Sequence, residues 1–229
     1  TTLDGYKSRL TEENKKVLYS TDEVSQSTAL NMWTSQGKEV LKLDTVIDTQ
    51  FIPWLEEKNK EINFVRVDSE LDESIKDDSP EIADKDGNTK SETLKKMISS
   101  ALNNEKVTVQ VQSLKGENSP PSLILLPEQM RRINDITALM EQKLPGLPEY
   151  HNLIVNSNHP LIQGLLKLNS NPIVVEGSSK SEEGQLASDI AIHVYEMAKL
   201  SIGGLENKDI AAFQTRNAEV LGKLMQKFV

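Results

Sequence analysis

The feature that most constrains this sequence is a pair of amphipathic helices predicted near its carboxyl-terminal end, over residues 181–202 and 208–229, with Gly203 and Gly204 between them. In the second helix, spacings of three and four place apolar residues on one wide face. The first helix has a narrower apolar stripe with small alanines beside it. One such pair cannot cover all of its own apolar surface, whereas two pairs related by a two-fold axis can form a four-helix bundle. The alternative is that the pair packs on its own domain.

The residues predicted to meet between two copies of the chain share the helical spacing of these stripes. They are Ile190, Val194 and Met197 in the first helix, and Ile210, Phe213, Val220, Leu221, Leu224, Met225 and Phe228 in the second. A terminal helix of this length extends about 30 Å, at about 1.5 Å per residue. It therefore needs a surface to lie against.

Composition excludes several functional classes. Lys and Arg number 26 against 35 Asp and Glu, a formal net charge of −9, which argues against nucleic acid as the main partner. There is no cysteine, so disulfides, thiol catalysis and thiolate zinc sites are excluded. No apolar run reaches the roughly 20 residues of a membrane span, and the first residues lack the basic segment and apolar core of a signal peptide. The sequence lacks an initiator Met, so we expect a fragment of a longer protein.

Residues 1–67 are predicted to form a small α/β region. Strands are predicted over residues 17–19, 40–43 and 64–67. Helices between them, over residues 25–36 and from Asp48 onward, imply a mostly parallel sheet with helices packed on it. Gly37 stands where a glycine ends a helix, and Pro53 is placed in the first turn of its helix, where proline is tolerated.

Residues 68–89 are rich in Asp and Glu. A calcium loop would need oxygen ligands at alternate positions, a central glycine and a final bidentate glutamate, and this pattern is absent. The stretch is therefore interpreted as a solvated linker.

A second domain is predicted to begin at Thr89, where Thr89 and Glu92 have capping-box spacing. Alternating valines from Val107 to Val111 predict a half-buried strand. Further strands are predicted over residues 122–126 and 153–155, and further helices over residues 127–143 and 159–168.

Catalytic motifs are weak or absent. Residues 177–181 faintly resemble a phosphate loop but lack its glycines, so they are interpreted as a link with a helix cap. His151, His159 and His193 do not have the spacing of metal ligands, and no nucleophile motif occurs. The sequence therefore predicts no catalytic, cofactor-binding or metal-binding residues.

Two apolar features are candidate binding surfaces. Phe51, Ile52 and Trp54 are three bulky residues within four positions, and they cannot all share one helix face. The helix over 127–143 has a second stripe, made by Met130, Ile133, Ile136, Thr137 and Met140 with Leu139 beside it. Core packing is the ordinary explanation of both features, although methionine-containing helices also suit adaptable binding.

Several motifs, taken in chain order, resemble one known family. They are Tyr6-x-x-Arg9 with residues 17–21 (Val-Leu-Tyr-Ser-Thr), residues 37–43 with Ile47 and Asp48, residues 156–162 (Asn-Ser-Asn-His-Pro-Leu-Ile), residues 194–200 (Val-Tyr-Glu-Met-Ala-Lys-Leu), and Phe213-x-x-Arg216. Together they resemble the heat-shock protein 90 chaperone family. The sequence stops without the acidic co-chaperone-binding tail of the cytosolic eukaryotic members, which points to the bacterial branch unless the sequence is truncated at this end as well.

The resemblance implies a fold and a domain organisation. Residues 1–75 would be the small α/β/α sandwich that ends the middle domain of such a chaperone, and residues 76–88 would be an acidic linker. Residues 89–229 would be the C-terminal dimerisation domain, a mixed α/β domain whose last two helices form a four-helix bundle with a second copy.

The resemblance also implies a function: constitutive homodimerisation and the binding of partly folded client proteins in the cytoplasm, as part of the heat-shock response. Co-chaperones are further candidate partners, and neither nucleic acid nor membrane is expected. Family members are driven by ATP with magnesium, but the ATP-binding domain is not in this sequence, so the fragment should not hydrolyse ATP. Client contacts carried over by resemblance are Phe51, Ile52, Trp54, Met130, Ile133, Leu139 and Met140. A bare dimerisation scaffold is the alternative.

Overall fold

A computed structural model describes residues 2–10, 15–45, 47–71, 75–77, 89–116, 119–140, 150–169, 182–202 and 204–226. In chain order the elements are α1 (Leu3–Lys7), β1 (Lys16–Ser20), α2 (Ser27–Ser35), β2 (Leu41–Lys42), α3 (Asp48–Lys58), β3 (Asn63–Arg66), α4 (Lys90–Leu102), β4 (Val107–Gln112), β5 (Ser122–Leu125), α5 (Glu128–Met140), β6 (His151–Asn156), α6 (Pro160–Asn169), α7 (Glu182–Ser201) and α8 (Asn207–Gln226). The chain is therefore mixed α/β, as the sequence predicts.

Contacts between these elements divide the chain into two compact units. The first comprises residues 1–70 and 126–145, and the second comprises residues 71–125 and 146–229. Helix α5 thus belongs to the first unit, although the sequence analysis placed it beyond the linker. The family-based domain boundaries at residues 75 and 89 stay a prediction.

Three short parallel strands form the sheet of the first unit, in the order β2-β1-β3. Parallel neighbours need crossover connections, and α2 and α3 supply them. The core beside the sheet is made by Tyr6, Val17, Tyr19, Ile52, Ile62 and Phe64. The predicted parallel sheet is confirmed.

The ends and interior of the first unit's helices follow local sequence rules. Gly37 has a left-handed backbone at φ +72°, and its N–H donates to the Thr34 carbonyl at 2.9 Å. The next N–H, of Lys38, donates to the Trp33 carbonyl at 3.2 Å, which completes the glycine cap predicted after α2. Pro53 differs from its prediction. It lies inside α3, beyond the first turn, where it removes one backbone hydrogen bond.

The acidic stretch does not begin as a solvated linker. Asp68 is buried, and its carboxylate accepts hydrogen bonds from Arg66 at 2.5 and 2.7 Å. Ile75 is fully buried, and its carbonyl accepts from the Lys115 N–H at 2.9 Å. The linker interpretation was wrong here because charge density alone does not show which carboxylates have buried partners. Residues 78–88 lie outside the described residues.

The sheet of the second unit has the order β4-β6-β5, with β6 parallel to β4 and antiparallel to β5. Helix α4 begins at the predicted capping box. Thr89 Oγ1 accepts from the Glu92 N–H at 3.1 Å, and the Glu92 carboxylate accepts from the Thr89 N–H at 2.9 Å.

Helix α7 is packed into the second unit, where it contacts α4, α6, α8 and β5. The Ser122 hydroxyl on β5 donates to the Val194 carbonyl at 2.9 Å. The side chains that α7 buries are Leu186, Ala187, Ser188, Ile190, Ala191, Val194 and Ala198. The narrow apolar stripe predicted for this helix is therefore part of the second unit's core.

Candidate functional site

Helix α3 presents an exposed apolar stripe. Trp54 is 51% exposed, Phe51 is also exposed, and their rings stack with centroids 5.7 Å apart and planes inclined by 19°. Ile47, just before the helix, is exposed as well. The spacing of residues 47, 51 and 54 puts them on one helix face. Ile47 was not among the residues predicted to contact a client, although its helical spacing from Phe51 and Trp54 could have revealed it.

Ile52 faces the opposite way. Only 3% of it is exposed, and it packs in the core of the first unit with Tyr19 and Phe64. Neighbouring helical residues diverge by about 100°, so exposing Phe51 turns Ile52 inward. The prediction that Ile52 contacts a binding partner is corrected, because its side chain is not accessible.

Helix α5 turns its apolar side outward. Ile133 is 59% exposed and Met140 is 81% exposed, and Met130 and Ile136 are also exposed. By contrast, Arg131 is 4% exposed. The helix therefore has the reverse of the usual arrangement, and core packing does not explain its apolar stripe. The side chain of Leu139, also predicted here, lies outside the described residues.

Two arginines on the inner side of α5 connect it to the sheet and to α3. Arg131 donates to Glu128 at 3.0 Å and to the Tyr19 hydroxyl at 2.7 Å. Arg132 donates to Glu56 on α3 through two nitrogens, at 2.9 and 3.1 Å, and to Glu128 at 2.6 Å. Each guanidinium thus has carboxylate partners, which makes its burial tolerable.

The titration of these groups reflects their burial. Burial raises the pKa of Tyr19 to about 12, although Arg131 beside it acts in the opposite direction. For Glu128, burial raises the pKa, but the hydrogen bonds and charges of Arg131 and Arg132 outweigh that effect and lower it. Glu128 is therefore charged and Tyr19 is neutral at neutral pH.

A small cleft opens beside this network. Its walls are formed by Tyr19, Thr21, Ile52, Pro53, Arg131, Arg132 and Ile136. The walls are mostly apolar, and exposed apolar residues of α3 and α5 belong to the same compact unit. This unit thus combines apolar surface with charged groups that are already paired, an arrangement suited to binding apolar segments.

The terminal helices α7 and α8 contact each other through polar and aromatic side chains. Arg216 pairs with Glu196, and Lys223 Nζ lies 2.8 Å from Asp189 Oδ2. His193 stacks on Phe213 with ring centroids 5.3 Å apart. Burial lowers the pKa of His193.

The residues predicted to meet a second copy fall into three groups. Ile190, Val194 and Val220 are buried, Phe213 and Leu224 are half-buried, and Met197, Ile210, Leu221 and Met225 are exposed. Phe228 lies outside the described residues. The buried residues are core residues of the second unit, which corrects their placement on an outer surface. For the exposed residues, contact with a second copy stays a prediction.

Residues 177–181, the faint phosphate-loop match, lie outside the described residues. Within the described ranges, no three His, Asp or Glu side chains are grouped so that they could hold a metal ion. Likewise, none of the described helices is both long and apolar enough to cross a membrane.

Comparison with known proteins places the chain in a family. The family model described as Hsp90 protein matches residues 1–227. The chain is 32% identical over 160 residues to Chaperone protein HtpG of Porphyromonas gingivalis, an alignment that covers 65% of this chain and 22% of the relative. It is 29% identical over 160 residues to Chaperone protein htpG of Bacteroides fragilis, covering 68% of this chain and 23% of the relative.

Chaperone protein HtpG of Bacteroides thetaiotaomicron is similar too, at 29% identity over 164 residues, or 65% of this chain and 22% of the relative. These alignments cover less than a quarter of the relatives' length. The family model, in contrast, matches nearly the whole chain. The predicted resemblance is confirmed: the chain belongs to the Hsp90 protein family.

Proposed function

We propose that this chain is a client-binding and dimerising part of an Hsp90-type chaperone. The observation that carries the proposal is the reversed orientation of α5, which buries Arg131 and exposes Ile133 and Met140. A contiguous exposed apolar surface favours aggregation of a protein that has no use for it. Binding to apolar segments of partly folded proteins is the simplest function that accounts for this surface.

The contacts would be weak and adaptable. Methionine side chains such as Met130 and Met140 are flexible and polarizable, so they can fit apolar segments of varied shape. The stacked rings of Phe51 and Trp54 add a flat apolar area on α3. Such a surface binds without requiring a particular client sequence.

Dimerisation would use the outer faces of α7 and α8. Met197, Leu221 and Met225 are exposed on these helices, and pairing two copies in a four-helix bundle would cover them. A dimer carries two client surfaces, so the first contact raises the effective concentration of the second. The α/β/α sandwich of residues 1–75 is part of the same proposal.

The parent protein would be an ATP-driven chaperone of the cytoplasmic, bacterial type, to which the relatives named Chaperone protein HtpG are similar. In this proposal, nucleotide and magnesium act in other parts of the parent, and this chain contributes no hydrolysis. Co-chaperones are further candidate partners.

A bare dimerisation scaffold is the second candidate. Such a scaffold would bury Trp54, Met130 and Met140, and all three are exposed in the single chain. Their exposure favours the client-binding proposal.

The test is suppression of aggregation. The double variant Trp54→Arg with Met140→Glu should protect thermally unfolding citrate synthase several-fold less well, with an unchanged circular dichroism spectrum. Val24→Arg is the matched control, because Val24 is an exposed apolar residue of the same unit outside both stripes. Equal protection by the double variant and the control would reject these residues as the client surface.

A further inference from the structure

Charged groups connect helix α5 to the rest of its unit. Its exposed apolar residues contribute little burial, whereas Arg132 reaches α3 with both terminal nitrogens, 2.9 and 3.1 Å from the two Glu56 oxygens. Arg132 and Glu56 are both less than a third exposed, at 30% and 20% of their side chains. A bidentate pair that is partly shielded from water is stronger and more directional than an exposed ion pair.

Arg132 donates to the carboxylates of Glu56 and Glu128, and each of these accepts further hydrogen bonds. Glu56 Oε1 also accepts from the Phe64 N–H on β3 at 3.0 Å, so it is tied to the sheet. Glu128 also accepts from Arg131, which in turn donates to the Tyr19 hydroxyl on β1. The charged groups therefore form one chain of hydrogen bonds from β3 through α3 and α5 to β1.

We propose that Arg132 and Glu56 are positioning residues: their pairing holds α5 against α3, so that the apolar stripes of the two helices bind one client segment together. This inference rests on the proposed client-binding function. Without the pair, α5 would be held to the sheet through Arg131 but less firmly to α3, and a client bound to one stripe would meet the other at a lower effective concentration. The inference assigns a role to residues that need not touch the client.

The first measurement needs no client. Because the chain contains no cysteine, spin labels can be placed on Gln50→Cys in α3 and Thr137→Cys in α5 without removing native thiols. With the labelled chain diluted in an excess of unlabelled chain, so that a dimer carries one labelled copy, double electron–electron resonance should give one narrow distance distribution, and Arg132→Gln should broaden it. Lys16→Gln is the matched control, since Lys16 pairs with Glu70 at 2.6 Å in the same unit but away from α5. Its distribution should match the parent's.

The second measurement is binding of reduced, carboxymethylated α-lactalbumin, a permanently unfolded probe. Arg132→Gln should weaken binding roughly fivefold, the effect of about 1 kcal/mol in an ion pair. Glu56→Gln, which keeps an oxygen for the Phe64 N–H, should weaken binding and broaden the distribution to a similar degree, and the double variant Glu56→Gln with Arg132→Gln should do so no more than either change alone. If Arg132→Gln does not fold, Glu56→Gln supplies the comparison with the parent.

The outcomes separate this inference from the function on which it rests. A parent chain that does not bind the probe would reject the client-binding proposal, while the distance distributions would still test the pairing. Unchanged binding and an unchanged distribution in a folded Arg132→Gln variant would overturn the inference. Weaker binding by Arg132→Gln with unchanged binding by Glu56→Gln would also overturn it, because a lost cation and not a lost pair would then be responsible.

Discussion

Helices α5 and α7 have similar sequence patterns and opposite orientations. Each carries an apolar stripe at helical spacing, but α7 turns Leu186 and Val194 into the core of its unit, whereas α5 turns Ile133 and Met140 outward. Periodicity identifies which residues share a face of a helix. It does not determine which face is buried.

The polar residues of the two helices explain the difference. On α5, Arg131 donates hydrogen bonds to Glu128 and to the Tyr19 hydroxyl, so its burial does not leave an unpaired charge. On α7, small alanines flank the apolar stripe and allow close packing against other helices, including α4 and α6. Paired charges therefore allow α5 to bury its arginine side, whereas small residues allow α7 to bury its apolar side.

The largest expected effect contrasts the two stripes directly. Leu186→Ala should destabilise the second unit by about 2–5 kcal/mol, because it leaves a cavity in a packed core. Ile133→Ala should change the free energy of unfolding by no more than about 0.5 kcal/mol, because Ile133 is mostly in water. Urea unfolding followed by circular dichroism measures both. Equal losses would show that the apolar side of α5 is buried after all.

The next expected effect concerns association. Leu221→Glu with Leu224→Glu should weaken dimerisation by roughly 3 kcal/mol, or about 100-fold, since each change places a carboxylate where apolar surface should be covered. Sedimentation velocity at micromolar concentration should show a dimer for the parent and a monomer for the variant. The control is Glu219→Gln on the same helix, at an exposed position already polar. A monomeric parent, or a variant that stays dimeric, would contradict the proposed interface.

A smaller effect should follow from removing the cation that α5 buries. Arg131→Leu keeps much of the side-chain volume but leaves the Tyr19 hydroxyl without this donor, and we expect a loss of about 2 kcal/mol. Lys42→Leu is the control, because Lys42 lies on the surface of the same unit. Thermal unfolding measures both variants. If Arg131→Leu stabilised the chain, the buried arginine would not explain the orientation of α5.

The smallest effect is a difference in acid sensitivity between the two units. Burial lowers the pKa of His193 below its usual 6.5, so the folded state binds this proton less tightly than the unfolded state. Stability from this group is present above pH 6.5 and is lost as the pH falls through the folded-state pKa. Glu128, whose pKa is lowered from 4.5, loses its contribution only in more acidic solution. The second unit should therefore weaken first.

Melting temperatures recorded between pH 7 and pH 4 test this order. His193→Gln should reduce the fall in melting temperature that begins just below pH 6.5. Burial also lowers the pKa of His159, so this residue should account for part of the remaining fall. An identical pH profile for the parent and the His193→Gln variant would exclude His193 as the cause.

Local sequence rules predicted much of the fold. The capping box at Thr89 and the glycine cap at Gly37 depend on a few neighbouring residues, and both are present. Burial of Asp68 could not be predicted in this way, because it depends on where Arg66 points. Helix α3 begins at Asp48, as predicted, so Pro53 is its sixth residue and already lies beyond the first turn of about four residues.

Only part of the candidate site was predicted from the sequence, because some of its features depend on residues that are distant in the chain. Exposed aromatic residues at Phe51 and Trp54 agree with the residues carried over from the family resemblance, and Ile52 does not. Helical geometry alone separates Ile52 from its neighbours by about 100°, but only the core formed with Phe64 shows which of them is inside. The network through Arg132 joins residues far apart in the sequence, so no local pattern could reveal it.

The two tryptophans of this chain report on different parts of the first unit. Trp33 is buried on α2, and its indole N–H donates to the Val67 carbonyl at 2.9 Å, whereas Trp54 is in contact with water. Indole fluorescence shifts to shorter wavelength in dry surroundings, so the emission spectrum contains two distinguishable components. The long-wavelength component should respond when an apolar segment covers α3, and the short-wavelength component should change only when the sheet itself comes apart. The fluorescence of the unlabelled protein therefore reports both the binding of an apolar segment to α3 and the unfolding of the sheet.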